Sequence, residues 1–326
     1  MDNNIIGKSK VRAFTNIALV KYWGKKNEGL ILPQNGSISL TLDHFYSETE
    51  VIFDSSLKKD EIYFNNERVE DNKIVNFLNI LRNKADNDNF CIVKTVNTVP
   101  TSAGLASSSS GFAALAAASS KAIGMNLSNM EISKLARRGS GSATRSIYGG
   151  LVEWIPGTND KNSYAQPLSY DKKLDLNLIT VILNRNEKKI SSRYGMKSSV
   201  ETSPYYDVWI KQANEDLKNM KMAIKKNDFT SLGRITETNA MRMHSLTLSA
   251  DPSFTYFNED TLKTINLVKD LREQGLECYF TIDAGPNVKI LCQDKNTNKI
   301  MKKLLLHFKH SDLVINHPGP GIQFIY

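Results

Sequence analysis

The segment from Pro100 to Gly111 has the composition of a phosphate-binding turn. It reads Pro-Thr-Ser-Ala-Gly-Leu-Ala-Ser-Ser-Ser-Ser-Gly and lies between a predicted strand and a predicted helix that begins at Ser107. The first turn of a helix leaves backbone N–H groups unpaired and carries partial positive charge, so it accepts phosphate well. Gly104 allows close approach of the backbone, and the serines add hydroxyl donors. A P-loop motif is absent, which excludes an ordinary P-loop nucleotide-binding protein; a close-packed helix of small residues is the alternative.

Four further segments carry cations, hydroxyls or a carboxylate. They are Lys21-Tyr-Trp-Gly-Lys25, Gly139-Ser-Gly-Ser-Ala-Thr-Arg145, Lys188-Lys-Ile-Ser-Ser-Arg193 and Asp283-Ala-Gly-Pro-Asn287. Arg145 presents a planar fork suited to a carboxylate, and Asp283 ends a strand before a sharp turn, so it can point into a cleft. Each segment alone also fits an ordinary structural role, as packed aromatics, solvated lysines or a turn-initiating Asp.

Together the segments resemble the mevalonate diphosphate decarboxylases of the GHMP kinase superfamily. The pattern Pro-x-x-x-Gly-Leu-Ala-Ser-Ser is similar to the superfamily's phosphate loop, and the other four segments follow in the family's order and spacing. The resemblance implies an α+β fold with two lobes and an active site in the cleft between them. The N-terminal lobe, with a mixed sheet and helices, is expected over 1–183. The C-terminal lobe, an antiparallel sheet with helices on one face, is expected over 184–326.

The resemblance also implies a reaction. Such enzymes use ATP and Mg²⁺ to convert mevalonate 5-diphosphate to isopentenyl diphosphate, through phosphorylation of the 3-hydroxyl group and then loss of phosphate and CO₂. Asp283 is then the catalytic carboxylate, and Arg145 holds the substrate carboxylate. Lys188 approaches the transferring phosphoryl group, with its neighbour Lys189 as the competing candidate. Thr144 departs from the Ser or Cys that more usually precedes this arginine.

The remaining site residues are carried over in the same way. The expected substrate contacts are Ala18, Tyr22, Lys25, Ser140, Gly141, Ser142, Arg145, Ser191, Ser192, Arg193 and Met196. The expected nucleotide contacts are Gly104, Leu105, Ala106, Ser107, Ser108 and Ser109, with Ser107 as a candidate ligand of magnesium. Trp23 is assigned to the core, and Arg137 and Arg138 to a structural role at a helix end.

Periodicity and turn residues predict the elements that position these segments. Strands are predicted over 37–43, 46–53, 61–64, 90–96, 174–183, 278–283, 288–292 and 321–326. Helices are predicted over 73–85, 107–123, 204–226, 228–244, 260–274 and 297–309, and a capping box at Ser128-Asn-Met-Glu131 opens another. Antiparallel strands with segregated helices indicate the α+β class.

Composition bounds the function further. The 326 residues are 40% hydrophobic and carry a net charge of +8. Windows 1–26, 137–145 and 185–197 carry +5, +3 and +4, which leaves −4 for the rest of the chain. Because this excess falls in separate segments expected to be loops, it favours a focused anion site over nucleic-acid binding.

Three cysteines and five histidines show no disulfide or metal-ligand pattern. Cys91, Cys278 and Cys292 indicate a reducing compartment. Without a signal peptide or a membrane span, the expectation is a cytoplasmic protein that does not bind membranes. The family resemblance suggests a homodimer.

Three alternatives remain open from the sequence. Two are relatives: a mevalonate 3-kinase that stops after phosphorylation, and a phosphomevalonate decarboxylase that uses a monophosphate substrate. The third is a basic nucleic-acid-binding protein, which requires a continuous basic face and exposed aromatic side chains.

Overall fold

The computed structural model describes residues 4–98, 107–185 and 189–326, without the side chains of Ser107 and Lys172. The strands are β1 Ile5–Val20, β2 Lys25–Asn27, β3 Leu32–Pro33, β4 Ser37–Asp54, β5 Glu61–Phe64, β6 Glu67–Val69, β7 Cys91–Asn97, β8 Leu151–Ile155, β9 Tyr164–Pro167, β10 Leu176–Val181, β11 Cys278–Ile282, β12 Val288–Gln293, β13 Leu313–Asn316 and β14 Gln323–Phe324. The α-helices are α1 Asn72–Ala85, α2 Ser107–Ala122, α3 Asn129–Gly139, α4 Ser192–Thr202, α5 Tyr206–Lys226, α6 Phe229–Leu248, α7 Glu259–Glu273 and α8 Asp294–Leu304. A 3₁₀ helix spans Gly141–Ile147.

The first sheet has eight strands built around the long pair β1 and β4. The order is β14-β1-β4-β7-β5-β6, with β8 paired to β4 and β9 to β8. Helix α2 packs on this sheet through buried alanines, whose short side chains allow close approach of the helix backbone. The core formed with α1 and α3 therefore places the start of α2 directly on β1 and β4.

The second sheet is antiparallel, in the order β11-β12-β10-β13. One face packs against α7 and α8 through Val268, Leu271, Ile300 and Leu304. The opposite face carries Leu178, Tyr279 and Leu291, which share a cluster with residues of β1, α5 and α6. The α+β class is confirmed. The predicted face of helices is formed by α7 and α8, and the other face meets the first sheet and the α5–α6 pair.

Helix starts are the most closely predicted features. The capping box exists, since the Ser128 and Glu131 side chains each accept from the other's backbone N–H. The predicted helix 297–309 is shifted, because α8 begins at Asp294 and ends at Leu304. The predicted strand 321–326 is limited to Gln323–Phe324.

The sequence prediction lacks several short strands and two long elements, β1 and α4. Strand β1 was not predicted because residues 13–20 are all buried, so the strand lacks the alternation of a half-buried one. Helix α4 lies in a segment predicted as a basic loop, and Ser191 caps its first turn. The placement of the cation-rich windows in loops is therefore wrong for all three. Window 1–26 lies mainly in β1, window 137–145 spans the end of α3 and the 3₁₀ helix, and window 185–197 runs into α4.

The chain crosses between the two sheets. β10 belongs to the second sheet although it precedes residue 183, and β14 returns to pair with β1. The three cysteines are buried and free. Among the described residues, no helix is both long enough and apolar enough to cross a membrane.

Candidate active site

Strand β1 connects all parts of the candidate site. Thr15 donates to Ser110 of α2 at 3.4 Å, and Asn16 donates to Ser146 of the 3₁₀ helix at 2.7 Å. Two residues on, the Ala18 carbonyl accepts from the Lys21 ammonium group at 2.8 Å. Because a strand rises about 3.3 Å per residue, these contacts follow one another along about 10 Å of backbone.

Asp283 lies between two lysines where β11 ends. Its Oδ1 is 2.6 Å from the Lys21 Nζ, and its Oδ2 is 3.2 Å from the Lys289 Nζ. Both lysine side chains are buried, at 2% and 1% exposure, whereas the Asp283 side chain is 22% exposed. The two lysines thus hold one carboxylate oxygen each, and the Asp283 side chain remains partly exposed.

This arrangement fixes the protonation state of Asp283. Burial alone would raise its pKa, but Lys21 and Lys289 outweigh that effect and hold the pKa of the carboxyl well below its usual range. Burial lowers the pKa of Lys21 to about 8, against the opposing attraction of Asp283. At neutral pH the site therefore holds an ionised carboxylate beside a protonated Lys21.

Arg145 is a buried cation without an acidic partner among the described residues. Only 3% of the residue is exposed, and its guanidinium donates to Ser37 Oγ and to Asn16 Oδ1 at 3.3 Å. No carboxylate of the described chain lies within ion-pair distance of it. Burial lowers the pKa of Arg145 to about 10, so the group remains charged. A buried unpaired guanidinium is costly, and an anionic ligand would remove that cost.

Tyr22 also has an unused polar group. Its hydroxyl is buried and has no hydrogen-bond partner among the described residues. The ring packs edge-on against Trp154 at 4.8 Å between centroids. Burial raises the pKa of the Tyr22 phenol, which the nearby Arg145 and Arg193 partly oppose. The phenol is therefore a donor that stays protonated and lies close to two of the predicted site arginines.

The 3₁₀ helix presents the predicted turn Ser140-Gly141-Ser142. The two serine hydroxyls lie 3.1 Å apart and are partly exposed. A Cβ on Gly141 would lie 2.8 Å from the Tyr22 ring, so only glycine lets this turn pack on Tyr22. The structure brings Ser140, Gly141, Tyr22 and Arg145 onto one wall of the site.

Helix α5 holds the backbone next to Tyr22. The Trp23 carbonyl accepts from Tyr206 Oη at 3.1 Å and from Trp209 Nε1 at 3.2 Å. Gly24 has φ +110°, and a Cβ there would overlap Tyr206 Oη at 1.5 Å. Trp23 is 2% exposed, which confirms its assignment to the core.

Helix α6 holds the Lys21 backbone. The Lys21 N–H donates to Asn239 Oδ1 at 2.8 Å, and the Asn239 amide donates to Asp216 Oδ2 at 2.9 Å. Asp216 in turn pairs with Arg242 at 2.8 Å. This polar network fixes Lys21 from the side opposite Asp283.

Helix α4 contributes an apolar floor and an exposed cation. Met196 is buried in one cluster with Trp23, Tyr206 and Ala284, the residue after Asp283. Arg193 is exposed in the first turn, where Ser192 begins the helix. Ser191 is exposed, and its hydroxyl accepts from Tyr194 N at 3.1 Å as the helix cap.

Other predicted residues are placed apart or already paired. Lys25 forms an ion pair with the exposed Glu28. Ser108 is exposed at the start of α2, whereas Ser109 is buried. Arg137 is fully buried and donates to the carbonyls of Leu30 and Ser163, which confirms its structural role.

Several predicted residues cannot be placed. Gly104, Leu105, Ala106 and Lys188 lie outside the described residues, as does the side chain of Ser107. Within the described parts of the chain, no group of three or more His, Cys, Asp or Glu residues is arranged to hold a metal ion.

Sequence reasoning assigned no role to five residues at the site: Lys21, Lys289, His244, Asn239 and Asn16. His244 is buried beside Ile282, with Nε2 3.3 Å from the Ile282 carbonyl oxygen. Burial and the neighbouring Lys21 lower its pKa to about 3, so it is neutral. The one available signal was Lys289, a charged residue within the apolar run Val-Lys-Ile-Leu-Cys of β12.

The family follows from comparison with known proteins. Residues 13–165 match the diphosphomevalonate decarboxylase-like N-terminal domain, and residues 178–318 match the mevalonate 5-diphosphate decarboxylase C-terminal domain. The chain belongs to the diphosphomevalonate decarboxylase family. The resemblance inferred from the sequence segments is confirmed, and neither the 3-kinase nor the monophosphate alternative is favoured.

Three similar proteins illustrate the match. The diphosphomevalonate decarboxylase of Candida albicans is 33% identical over 323 residues, covering 93% of this chain and 89% of that protein. The crystal structure of mevalonate diphosphate decarboxylase from Staphylococcus aureus has a TM-score of 0.95 and 46% identity, and covers 98% of both chains. A complex of MDDEF with MVAPP, AMPPCP and magnesium has a TM-score of 0.95 and 47% identity, covering 98% of this chain and 99% of that one.

Proposed function

We propose that this chain decarboxylates mevalonate 5-diphosphate with consumption of ATP, giving isopentenyl diphosphate, ADP, phosphate and CO₂. The family match supports the reaction. The observation that carries it here is that the site contains two complementary groups. One is the partly exposed, ionised Asp283, and the other is the buried Arg145, which has no acidic partner in the described chain. A substrate with both a hydroxyl group and a carboxylate matches these two groups.

Asp283 would meet the 3-hydroxyl group of the substrate. The hydroxyl oxygen attacks the γ-phosphorus of ATP, the bond to the β-phosphate breaks, and the hydroxyl proton passes towards Asp283. A carboxylate with a strongly lowered pKa is a good hydrogen-bond acceptor but a weak base. The two lysines therefore favour an orienting role, with proton transfer late in a loose phosphoryl transfer.

Arg145 would hold the substrate carboxylate during the second half of the reaction. The C3–O bond breaks and phosphate leaves; the electrons of the bond to the carboxylate then form the double bond as CO₂ departs. A bidentate guanidinium fixes the plane of that carboxylate. Tyr22 and Arg193, with Ser140 and Ser142, would bind the diphosphate.

The nucleotide would lie at the start of α2. That helix has no acidic residue in its first turn, so its partial positive charge is not cancelled by its own side chains. Ser108 is exposed there, and serine hydroxyls suit a magnesium nucleotide. Gly104–Ser109 would contact the phosphates, with Ser107 as the magnesium ligand, and the bound ion would offset charge on the phosphoryl group. Lys188 or Lys189 would approach that group.

The division into lobes at 183/184, a cytoplasmic location and a homodimer remain proposals. Three buried free cysteines support a reducing compartment. No described feature of the fold indicates a membrane or nucleic-acid partner, and the two site cations beside Asp283 are buried rather than spread over a surface.

The test is a coupled assay that follows ADP and CO₂ separately with mevalonate 5-diphosphate. We expect Asp283→Asn to lower both rates by roughly 10²–10⁴-fold with little change in KM for the substrate, because the change removes the hydroxyl partner and not the diphosphate wall. Turnover within a few-fold of wild type would refute the role of Asp283. ADP formation by the wild type without CO₂ would indicate a kinase.

A further inference from the structure

The most unusual group of the site is the buried ammonium of Lys289. It is the second residue of β12, opposite Thr180 on β10 and Thr281 on β11. Residues directly opposite on antiparallel strands share a face, so these three side chains form one buried polar row across the second sheet. Leu178, Leu291 and Tyr279, two residues further along each strand, are apolar. A lysine here needs a physical reason.

Lys289 reaches one acidic group in the described chain. Its Nζ lies 3.2 Å from Asp283 Oδ2 and donates to the Asn287 carbonyl at 3.2 Å. Removing a charge from water costs several kcal/mol, and well-packed apolar residues are generally as good or better for stability at such a position. Stability alone therefore does not account for a lysine at this position. Its ion pair with the Asp283 carboxylate does account for it.

We propose that Lys289 is a positioning residue of the active site, which holds the second oxygen of Asp283 in place so that its first oxygen and open side stay directed at the substrate hydroxyl. Lys289 is fully buried, so it acts through Asp283 and not on the substrate. This proposal rests on the proposed function, in which Asp283 meets the substrate.

The charges around Asp283 show why two lysines differ from one. Lys21 faces it from the end of β1, Lys289 from β12 and Arg145 from the 3₁₀ helix, while the neighbouring His244 of α6 is neutral. Lys21 pairs with the Oδ1 atom and Lys289 with the Oδ2 atom, and each ammonium group also donates to one backbone carbonyl. Each carboxylate oxygen therefore has its own cation, and the loss of Lys289 would leave Oδ2 without one in the described chain.

The test is Lys289→Met, which keeps the length of the side chain and removes its charge. We expect kcat to fall about tenfold or more, with KM for mevalonate 5-diphosphate changed less than about threefold. With one cation lost, burial raises the pKa of Asp283, so the acidic limb of the kcat profile should move up by about one pH unit or more. The matched control is Thr180→Val, a change in the same buried row at a residue that does not contact Asp283. This variant should keep the wild-type kcat and the wild-type acidic limb of the kcat profile.

Each outcome decides the proposal. Wild-type kcat in Lys289→Met, or a lower kcat with an unmoved acidic limb, would overturn it and leave Lys289 a structural residue. Folding is checked by circular dichroism and by the rise in Tm on adding mevalonate 5-diphosphate. If Lys289→Met does not fold, Lys289→Gln is measured in the same way; failure of both to fold would also overturn the proposal.

A direct readout separates this proposal from the reaction itself. The ¹³C resonance of the Asp283 carboxyl, assigned by its loss in Asp283→Asn, is titrated in wild type and in the Lys289 variant. An upward shift of the carboxyl pKa supports the positioning role even if the wild type shows no turnover of mevalonate 5-diphosphate, a result that would refute only the proposed reaction.

Discussion

At the scale of single residues, the site is marked by polar groups that the protein does not satisfy itself. The Tyr22 hydroxyl is buried without a partner, and Arg145 is buried without a carboxylate in the described chain. Leaving such groups unpaired costs about 1–3 kcal/mol each. A ligand that supplies phosphate and carboxylate oxygens would recover this energy on binding.

We expect Tyr22→Phe to separate binding from stability. Because the hydroxyl has no partner among the residues that the structure describes, its loss should leave the free energy of unfolding unchanged or slightly higher. KM for the diphosphate substrate should rise about tenfold or more, since a hydrogen bond to a charged group is worth about 1.5–3 kcal/mol. Urea unfolding and steady-state kinetics measure the two effects.

Tyr206→Phe is the matched control for this prediction. It removes the donor to the Trp23 carbonyl and should lower the free energy of unfolding by about 1 kcal/mol. A stability loss in Tyr22→Phe as large as in Tyr206→Phe would show that the Tyr22 hydroxyl is satisfied within the protein.

Lys21 should set an alkaline limit on activity. Its pKa is lowered to about 8, so the ammonium group loses its proton as the pH rises through about 8, well below the range of an ordinary lysine. We expect kcat to decline through that range, because the ion pair with Asp283 is lost. In Lys21→Arg the guanidinium stays protonated, so residual activity should persist without this decline.

Lys26→Arg, on the same segment, is the control for the pH profile. It should show the same alkaline decline of kcat as the wild type. Its ammonium lies outside the Asp283 cluster and donates to the Gly157 carbonyl. If kcat declined at alkaline pH in the same way in wild type and in Lys21→Arg, the decline would have to be caused by a group other than Lys21.

At the scale of elements, two helices and one strand hold the reacting groups. β1 supplies the backbone from Thr15 to Lys21, and α5 and α6 bond to the carbonyl of Trp23 and the N–H of Lys21. Site geometry therefore depends on contacts from helices that carry none of the proposed catalytic residues.

We expect Asn239→Ala to lower both stability and kcat. It leaves the buried Lys21 N–H without its acceptor, at a cost of about 1–3 kcal/mol, and frees Lys21 to move from Asp283. Thr236→Val, one turn earlier on α6, is the control. The Thr236 hydroxyl is buried without a partner in the described chain, so its removal should be neutral in urea unfolding and in kcat. Equal losses in both variants would contradict the role of Asn239.

At the scale of the whole molecule, four of the cations that contribute to the net charge of +8 are buried. Arg137, Lys21 and Lys289 have acidic partners, whereas Arg145 faces the site without an acidic partner in the described chain. Such cations cannot form the continuous outer face that nucleic-acid binding requires.

The ligands should therefore be small polyanions. We expect mevalonate 5-diphosphate with a magnesium nucleotide to raise Tm, since a ligand at about 100 times its Kd stabilises the folded state by about 2.7 kcal/mol. A single-stranded oligonucleotide at the same charge concentration and physiological salt should produce no rise. Stabilisation by the oligonucleotide alone would revive the nucleic-acid alternative.

Local features could be predicted from the amino-acid sequence. The helix that opens at Ser107, the capping box at Ser128 and Glu131, the turn at Gly141 and the strand that ends before Asp283 all depend on residues within one or two turns of each other. Local signals of this kind, read in the order of a known family, were enough to predict the fold class and the family.

The groups that surround Asp283 could not be predicted in this way, because they come together through long-range packing. Lys21 is 262 residues away in the chain, and Asn239 and His244 lie on a helix whose pattern indicated only burial. Lys289 is close in sequence but points to Asp283 only because β11 and β12 pair with Thr281 opposite Lys289. Partners across strands and lobes depend on register and packing, which no local pattern encodes, and these partners hold Asp283 ionised.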